Sequence, residues 1–234
     1  MNEHPMPTEG DSNVLRVPCC VPEANAHPAA TGNTQHATRS TLLHEFRTIL
    51  QPLNLAEHFP TPQPLEVELG CGDGSFIVEW AQRNPGRNLL GVERLLGRIR
   101  KPDKRGRRAV LTNLSLVRIE IGYFLEYLLP PASTDAIHVY FPDPWPKVKH
   151  ARHRLINERF TALARRALKP GGVVHLRTDH VDYFAQMLAV FRADKTFIEL
   201  ETPAELASVT TDFEREFNAK GIPTNRASWR MAGA

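Results

Sequence analysis

The chain has 234 residues, of which 41% are apolar and 24% charged, and its formal net charge is +3. This composition is typical of a globular protein, and no stretch approaches the roughly 20 apolar residues that a membrane-spanning helix needs. Because no basic region followed by an apolar run stands at the N-terminus, we expect no signal peptide and a cytoplasmic protein. Three cysteines, without Cys/His spacing typical of zinc, predict neither a disulfide scaffold nor a metal site.

Charge is distributed unevenly along the chain. Residues 83–108 carry ten Lys and Arg against two acids, and residues 141–180 carry nine against three. Two basic segments in a chain of low net charge indicate a polyanionic partner such as a nucleic acid. Solvated helix faces are the alternative interpretation of the same pattern.

The first 40 residues differ in composition from the rest. They contain five prolines and no Phe, Trp or Tyr. Such a segment cannot bury enough apolar surface to offset the entropy lost on ordering it. We therefore expect residues 1–40 to be a disordered or loosely docked extension and residues 41–234 to be one domain.

The predicted elements begin with a helix over Ser40–Phe59, where apolar residues recur at helical spacing. Strand and helix signals then alternate. The predicted strands are Leu65–Leu69, Asn88–Glu93, Leu114–Glu120, Asp135–Phe141 and Val173–Arg177. The predicted helices are Ser75–Gln82, Arg94–Lys104, Leu155–Leu168 and Tyr183–Phe191. This alternation predicts right-handed crossovers and an α/β fold with a doubly wound, mostly parallel sheet.

A glycine-rich loop joins the first of these strands to the first of these helices. Gly70, Gly72 and Gly74 alternate there, a G-x-G-x-G pattern that differs from the dinucleotide-binding G-x-G-x-x-G. Glycine lets the backbone turn tightly and approach a ligand. Because Glu68 and Asp73 flank the loop, the pattern favours a ligand with a cationic end over a phosphate.

Glu93 ends the second predicted strand, 19 residues after Gly74. An acid near this spacing accepts hydrogen bonds from the hydroxyls of a ribose. A ribose together with a cationic amino-acid end describes S-adenosylmethionine. The alternative is a structural turn with Glu93 on the surface.

The segment Phe141-Pro-Asp-Pro-Trp-Pro-Lys147 follows the fourth predicted strand and is far more specific. Together with the glycine loop, Gly91-Val-Glu93, Lys169-Pro-Gly-Gly172, Thr178-Asp179 and Thr211-Asp-Phe-Glu214, it resembles the tRNA (guanine-N7)-methyltransferase family. The resemblance extends from about residue 65 to residue 226. It implies a Rossmann-like class I methyltransferase that uses S-adenosylmethionine to methylate N7 of the guanine at position 46 in the variable loop of tRNA.

The resemblance also implies roles for individual residues, with Asp143 as the active-site carboxylate. The implied cofactor-binding residues are Glu68, Gly70, Gly72, Gly74, Glu93, Asn113, Glu120 and Asp143. The implied substrate-binding residues are Lys147, Asp179, Thr211, Asp212, Phe213 and Glu214. Two positions depart from the family pattern: Glu120-Ile121 replaces the usual Asp-Ala pair, and Val148 stands where a second basic residue is common.

The basic run after the motif predicts contacts to tRNA phosphates through Lys149, Arg152 and Arg154. N7 of guanine is already a nucleophile, so the reaction needs alignment rather than a strong base. Asp143 then either stabilises the cationic product or accepts hydrogen bonds from the guanine edge. For Glu214, guanine recognition and a first-turn role in a helix after a Thr211 cap are both open.

Two other functions are compatible with parts of the pattern. Asp-Pro-Trp is similar to the motif of amino-group methyltransferases, although Trp145 replaces the second proline of that motif. A non-catalytic tRNA-binding module would predict a damaged cofactor loop, whereas its glycines and flanking acids are intact. No feature marks a docking surface for a protein partner, and we expect none.

Overall fold

A computed structural model describes residues 41–233, apart from the side chain of Val148. The extension expected over residues 1–40 lies outside this range. The strands are β1 Leu43–His44, β2 Leu65–Leu69, β3 Asn88–Val92, β4 Leu114–Val117, β5 Thr134–Tyr140, β6 Leu168–Thr178, β7 Phe197–Leu200 and β8 Asn225–Met231. The helices are α1 Leu55–His58, α2 Ser75–Arg83, α3 Leu96–Arg108, α4 Ile121–Tyr123, α5 Glu158–Ala167, α6 Val181–Ala193, α7 Ala204–Ser208 and α8 Asp212–Ala219. A π-helical turn, Phe124–Leu128, and a 3₁₀ segment, Val148–His153, complete the inventory.

The strands of the described range form one sheet in the order β1-β4-β3-β2-β5-β6-β8-β7. Strands β1 to β6 pair in parallel, and β8 runs antiparallel to both β6 and β7. The prediction of a doubly wound, mostly parallel sheet is therefore confirmed. The chain moves outward from β2 through β3 to β4 and then returns to β5 on the other side of β2. Ligands bind at such a switch point, outside the carboxyl ends of the strands.

Both faces of the sheet are covered by helices. On one face the buried side chains include Phe76 and Ile77 of α2 and Ile99 of α3. On the other they include Phe160 of α5 and Phe191 of α6. No helix in residues 41–233 is long and apolar enough to cross a membrane.

The helix predicted over Ser40–Phe59 is wrong. That segment contains the short strand β1, which extends the sheet beside β4, and the four-residue helix α1. The backbone N–H of Leu42 donates to Oδ1 of Asp103 at 2.7 Å, and Leu50 is 85% exposed. Pairing with an otherwise open sheet edge therefore prevails over the helical spacing of the apolar residues.

The C-terminal part of the sheet also differs from the prediction. Strand β6 begins at Leu168, because Leu168 pairs with Thr134 before a bulge restores the register. The hairpin strands β7 and β8 were not predicted. Polar residues in Asn225–Met231 interrupt the apolar pattern by which a strand is predicted from sequence. Ala227 and Trp229 are buried because β8 pairs with a strand on each side.

The register of three strands forms a polar row inside the fold. Residues two apart in a strand share a face, and pairing places Glu68 of β2, His138 of β5 and His175 of β6 side by side. Tyr140 of β5 pairs with Arg177 of β6 two residues further toward the carboxyl ends of these strands. This row leads to the edge of the sheet where the cleft lies.

Candidate active site

A cleft of about 300 Å³ opens at the carboxyl end of β2. The glycine loop forms one side and the first turn of α8 the other, although these segments lie far apart in the sequence. The lining residues are Glu68, Gly70, Cys71, Gly72, Asp73, Ser75, Arg98, Tyr140, Phe141, Thr211, Asp212, Phe213 and Glu216. The structure therefore brings the predicted glycine loop and three residues of the Thr211–Glu214 segment to one place.

The conformation of the loop requires its glycines. Gly70, Gly72 and Gly74 have φ angles of 81°, 53° and 74°, in the left-handed region that side chains disfavour. At Gly74 a Cβ atom would also collide with the ring of Pro102 in α3. The N–H groups of Gly70 and Cys71 donate to the carbonyl of Val92, which holds the loop against β3.

Glu68 lies on the floor of the cleft and is 3% exposed. Its Oε2 atom has no hydrogen-bond partner among the described residues. Burial raises the pKa of Glu68 to about 8, although the positive charge of Arg177 opposes the shift. A buried acceptor without a partner at the edge of a cleft fits a ligand that brings a cationic donor.

Glu93 and Glu120 stand at the ends of the neighbouring strands. Oε2 of Glu93 accepts from the N–H of Gly72 at 3.2 Å, and Oε1 accepts from the N–H of Leu95 at 2.8 Å. Glu120 caps α4 by accepting from the N–H groups of Gly122 and Tyr123, both at 2.8 Å. Both carboxylates therefore have fixed positions near the loop.

Asn113 does not belong to this site, and its assignment to the cofactor is corrected. It precedes β4, whereas the cleft lies at the carboxyl ends of the strands. Its Nδ2 donates to the carbonyls of Ala81, Asn84 and Arg87 at 2.9–3.1 Å. Asn113 therefore ties together the loops at the opposite edge of the sheet.

The proline-rich motif leaves β5 through a strained backbone. Phe141 and Trp145 have φ angles of 51° and 43°, and the N–H of Phe141 donates to the carbonyl of Arg177 at 2.8 Å. The side chain of Asp143 is exposed and accepts from the N–H of Trp145 at 3.0 Å. Such strain is concentrated at functional sites, because surrounding structure must hold it in place.

The basic run after the motif separates into two kinds of residue. Lys147, Lys149 and Arg152 are exposed, as expected for cations that contact a polyanion. Arg154 is buried, and the phosphate contact predicted for it is corrected. Its Nε donates to the carbonyl of Pro144 and its Nη1 to Oε1 of Gln186, both at 2.8 Å. Arg154 therefore links the proline-rich motif to α6 and holds the motif in position.

Helix α8 presents its first turn to the cleft. Thr211 caps the helix by accepting from the N–H of Glu214 at 3.0 Å, and the N–H of Asp212 donates to Oγ of Ser75 at 2.9 Å. The guanidinium of Arg98 lies 5.5 Å from the ring centre of Phe213. Asp179, half-buried, follows β6 at the same edge of the sheet.

Glu214 is not among the residues that line the cleft, and its role at guanine stays a prediction. Its side chain is fully buried and pairs with Arg177 at 3.0 Å and with Arg226. Glu214 lies in the first turn of α8 after the Thr211 cap, which is the position that the first-turn interpretation predicted. The two ion pairs join α8 to β6 and β8.

The motifs did not identify Tyr140 and Arg98, which line the cleft, or Arg177, which holds the segment before α8 in place. One available signal was the alternation of polar residues in adjacent predicted strands. Glu66 and Glu68, His138 and Tyr140, and His175 and Arg177 are each two residues apart. Such a pattern predicts a polar row on one face.

Comparison with known proteins agrees with this geometry. Residues 62–227 match a family model described as "Putative methyltransferase". A tRNA (guanine-N(7)-)-methyltransferase of Bordetella pertussis is 33% identical over 183 residues, which cover 77% of this chain and 71% of that protein. One of Syntrophotalea carbinolica is 36% identical over 152 residues, covering 64% of this chain and 66% of that protein. The chain thus spans about two thirds of the length of such relatives.

Solved structures show the same fold at low sequence identity. The 16S rRNA methyltransferase KamB has a TM-score of 0.56 at 14% identity, with 76% of this chain and 92% of that chain covered. The [4+2]-cyclase SpnF has a TM-score of 0.52 at 14% identity, with 77% and 80% covered. Because a methyltransferase and a cyclase share this fold, the fold alone does not specify the reaction.

Proposed function

The chain belongs to the tRNA (guanine-N7)-methyltransferase family, and we propose on that basis that it methylates N7 of the guanine at position 46 in the variable loop of tRNA. The 33% identity to the tRNA (guanine-N(7)-)-methyltransferase of Bordetella pertussis, over 183 residues, is the observation that carries this proposal. The proposal places the enzyme in the cytoplasm with its tRNA substrate.

S-adenosylmethionine supplies an electrophilic methyl group and leaves a neutral thioether when the group is transferred. Glu68 is the residue best suited to its cationic amino-acid end, because an unpartnered carboxylate oxygen lies on the floor of the cleft. The N–H groups of the glycine loop and the carboxylate of Glu93 are suited to the rest of the ligand. We assign Glu120, at the end of β4, to the side of the adenine.

The proposed roles at the substrate follow from the chemistry of guanine. N7 carries a lone pair and no proton, so the enzyme aligns it with the methyl carbon and removes no proton. Methylation leaves the ring with a positive charge. Asp143, an exposed carboxylate on a braced loop, stabilises that charge or accepts from N1–H and the amino group. Asp179 is the second acceptor that we assign to guanine.

We assign tRNA binding to two basic surfaces beside the cleft. Lys147, Lys149 and Arg152 lie on one side, and they are exposed and have no acidic partner within the described residues. Helix α3 lies on the other side, and Arg98 of this helix lines the cleft. We assign contact with the target nucleotide to Phe213, an exposed residue that lines the cleft.

The test is incubation of the purified protein with unmodified tRNA and methyl-labelled S-adenosylmethionine, followed by mapping of the modified base. We expect N7-methylguanosine at position 46, and we expect Asp143→Asn to lose methyl transfer to tRNA. Label on an exocyclic amino group would favour the amino-group methyltransferase. Cofactor binding without labelled tRNA would contradict the proposal.

A further inference from the structure

Arg177 is a buried cation to which the proposed reaction assigns no role. Its side chain is 1% exposed, and it lies near the carboxyl end of β6, paired with Tyr140 of β5. Burying a guanidinium is costly unless its donors find acceptors. The partners of Arg177 are therefore informative about what the charge does.

Two of its nitrogens hold the segment that carries α8. Nη1 donates to the carbonyl of Val209 at 2.7 Å and to Glu214 at 3.0 Å, and Nη2 donates to the carbonyl of Leu206 at 2.5 Å. These acceptors lie on α7, on the link after it and on the first turn of α8. One cation thus fixes the wall of the cleft formed by Thr211, Asp212 and Phe213.

The third guanidinium nitrogen of Arg177 and one carboxylate oxygen of Glu68 are both buried. Neither Nε of Arg177 nor Oε2 of Glu68 has a hydrogen-bond partner in the part of the chain that the structure describes. The charge of Arg177 favours the ionised form of Glu68, whereas burial and the negative charge of Glu93 oppose it. Cys71 and Tyr140 also face Glu68, and burial raises the pKa of both so that they remain neutral. The guanidinium of Arg177 lies 4.2 Å from the ring centre of Tyr140, which lines the cleft together with Glu68. Among the described residues, Arg177 is therefore the cation whose charge reaches this carboxylate.

We propose that Arg177 is a positioning residue that couples the charge of Glu68 on the floor of the cleft to the docking of α8 over it. The same guanidinium stabilises the ionised carboxylate and anchors the first turn of the helix. Arginine suits both tasks because its planar fork donates in several directions at once. Lysine would retain the charge but not the fork. This inference rests on the proposed binding of S-adenosylmethionine at Glu68.

Calorimetric binding of S-adenosylmethionine at pH values from about 6 to about 9, without tRNA, tests the charge coupling. In the wild type the affinity should rise with pH until Glu68 is ionised near pH 8. In Arg177→Met the rise should move upward by about one pH unit, which weakens binding about tenfold at neutral pH. Glu68→Gln should remove the rise, and Arg177→Met should then leave only a smaller, pH-independent loss from the loosened wall of the cleft. Equal effects of Arg177→Met in both backgrounds would overturn the coupling.

Hydrogen exchange without any ligand tests the anchoring of α8. Arg177→Met and Arg177→Lys should both speed exchange in residues 204–219, while the amides of β2 and β5 keep their protection. Arg177→Lys should nevertheless retain the wild-type pH dependence of binding. Arg192→Met, which removes an exposed arginine of α6, is the matched control and should change neither readout. Unchanged exchange in α8 of the Arg177 variants would overturn the proposal.

These measurements distinguish the inference from the proposed tRNA activity. Neither one contains tRNA, so a failure to methylate tRNA leaves both readouts intact. A wild-type protein that binds no S-adenosylmethionine at any pH would contradict the proposed function and this coupling together. A pH-dependent affinity that Arg177→Met leaves unmoved would contradict only the coupling.

Discussion

At the scale of the residue, sequence motifs identify ligand-facing groups better than they identify the partners of those groups. The glycine pattern located Glu68 and Glu93 because their spacing is local and tied to one turn. The pairing of Glu214 with Arg177 was not predictable, since it joins residues 37 apart in chain position through sheet register and helix docking. Motif membership alone therefore gave no sign that Glu214 is held in a buried ion pair.

Glu93 provides a direct test of cofactor binding at this scale. Glu93→Ala should weaken S-adenosylmethionine binding by about 1–3 kcal/mol, because ribose hydroxyls would lose an acceptor in a water-poor site. Glu93→Gln should be milder, since its amide oxygen still accepts from Gly72 or Leu95. Calorimetry gives the affinity, and a melting curve separates loss of binding from loss of folding. An unchanged dissociation constant in a folded Glu93→Ala variant would rule out the ribose contact.

At the scale of the element, the central strands and their helices were predictable and the sheet edges were not. Continuous apolar strands such as β3 carry their own signal, because both of their faces are buried. Strands β1 and β8 depend on neighbours: Leu43 pairs with β4, and the polar chain of Asn225–Met231 is buried only between β6 and β7. The conformation of β1 and β8 is therefore set by the strands beside them, and the spacing of apolar residues within each segment does not predict it.

The polar row of β2, β5 and β6 predicts how stability depends on pH. Burial lowers the pKa of His175 from 6.5 to about 3, and the neighbouring His138 and Arg177 reinforce the effect, while Glu66 opposes it. The unfolded chain therefore binds a proton that the folded chain excludes, and this contribution to stability is lost progressively as pH falls from 6.5 toward 3. Below 4.5, Glu66 adds to the loss: burial raises its pKa, but hydrogen bonds and the charges of His138 and Arg87 hold it at about 2.

Urea unfolding at a series of pH values measures this dependence. Glu68 contributes the opposite slope, because burial raises its pKa from 4.5 to about 8 and its bound proton stabilises the folded chain as pH falls through that range. In the Glu68→Gln background the free energy of unfolding should therefore begin to fall below pH 6.5, before ordinary carboxylates titrate. His175→Asn should flatten the profile between pH 6.5 and 4.5, because the excluded proton is no longer present. A Glu68→Gln profile that is level down to pH 4.5 would contradict a buried neutral His175.

The exposed cations after the proline-rich motif and the buried Arg154 should affect different steps, tRNA binding and methyl transfer respectively. Lys149→Glu with Arg152→Glu should weaken tRNA binding and make the slope of log affinity against log salt shallower by roughly 1–2, because fewer counterions are released. Arg154→Met should instead lower kcat and leave that slope unchanged, since Arg154 contacts Pro144 and Gln186. Filter binding at several salt concentrations, with single-turnover methylation, separates the two. An Arg192→Glu and Lys195→Glu double variant, at the far end of α6, is the matched control for reversed charge.

At the scale of the whole molecule, the fold class followed from the sequence because strand and helix signals alternate, and the structure shows where the chain reverses direction, beside β2. The cleft then lies at that switch point, as general rules for such sheets require. Its second wall was less predictable. Helix α8 reaches the glycine loop through the contact of Asp212 with Ser75, 137 residues away in the sequence, and no local pattern reports such a distance.

The central claim is that the methyl group goes to N7 of a guanine in tRNA. The most direct measurement compares two tRNA transcripts that differ only at position 46, one with guanine and one with 7-deazaguanine, in which carbon replaces N7. Both are incubated with methyl-labelled S-adenosylmethionine, and the label is mapped. We predict label at position 46 in the guanine transcript and none there in the 7-deazaguanine transcript. Equal labelling of the two transcripts at that position would contradict methylation at N7.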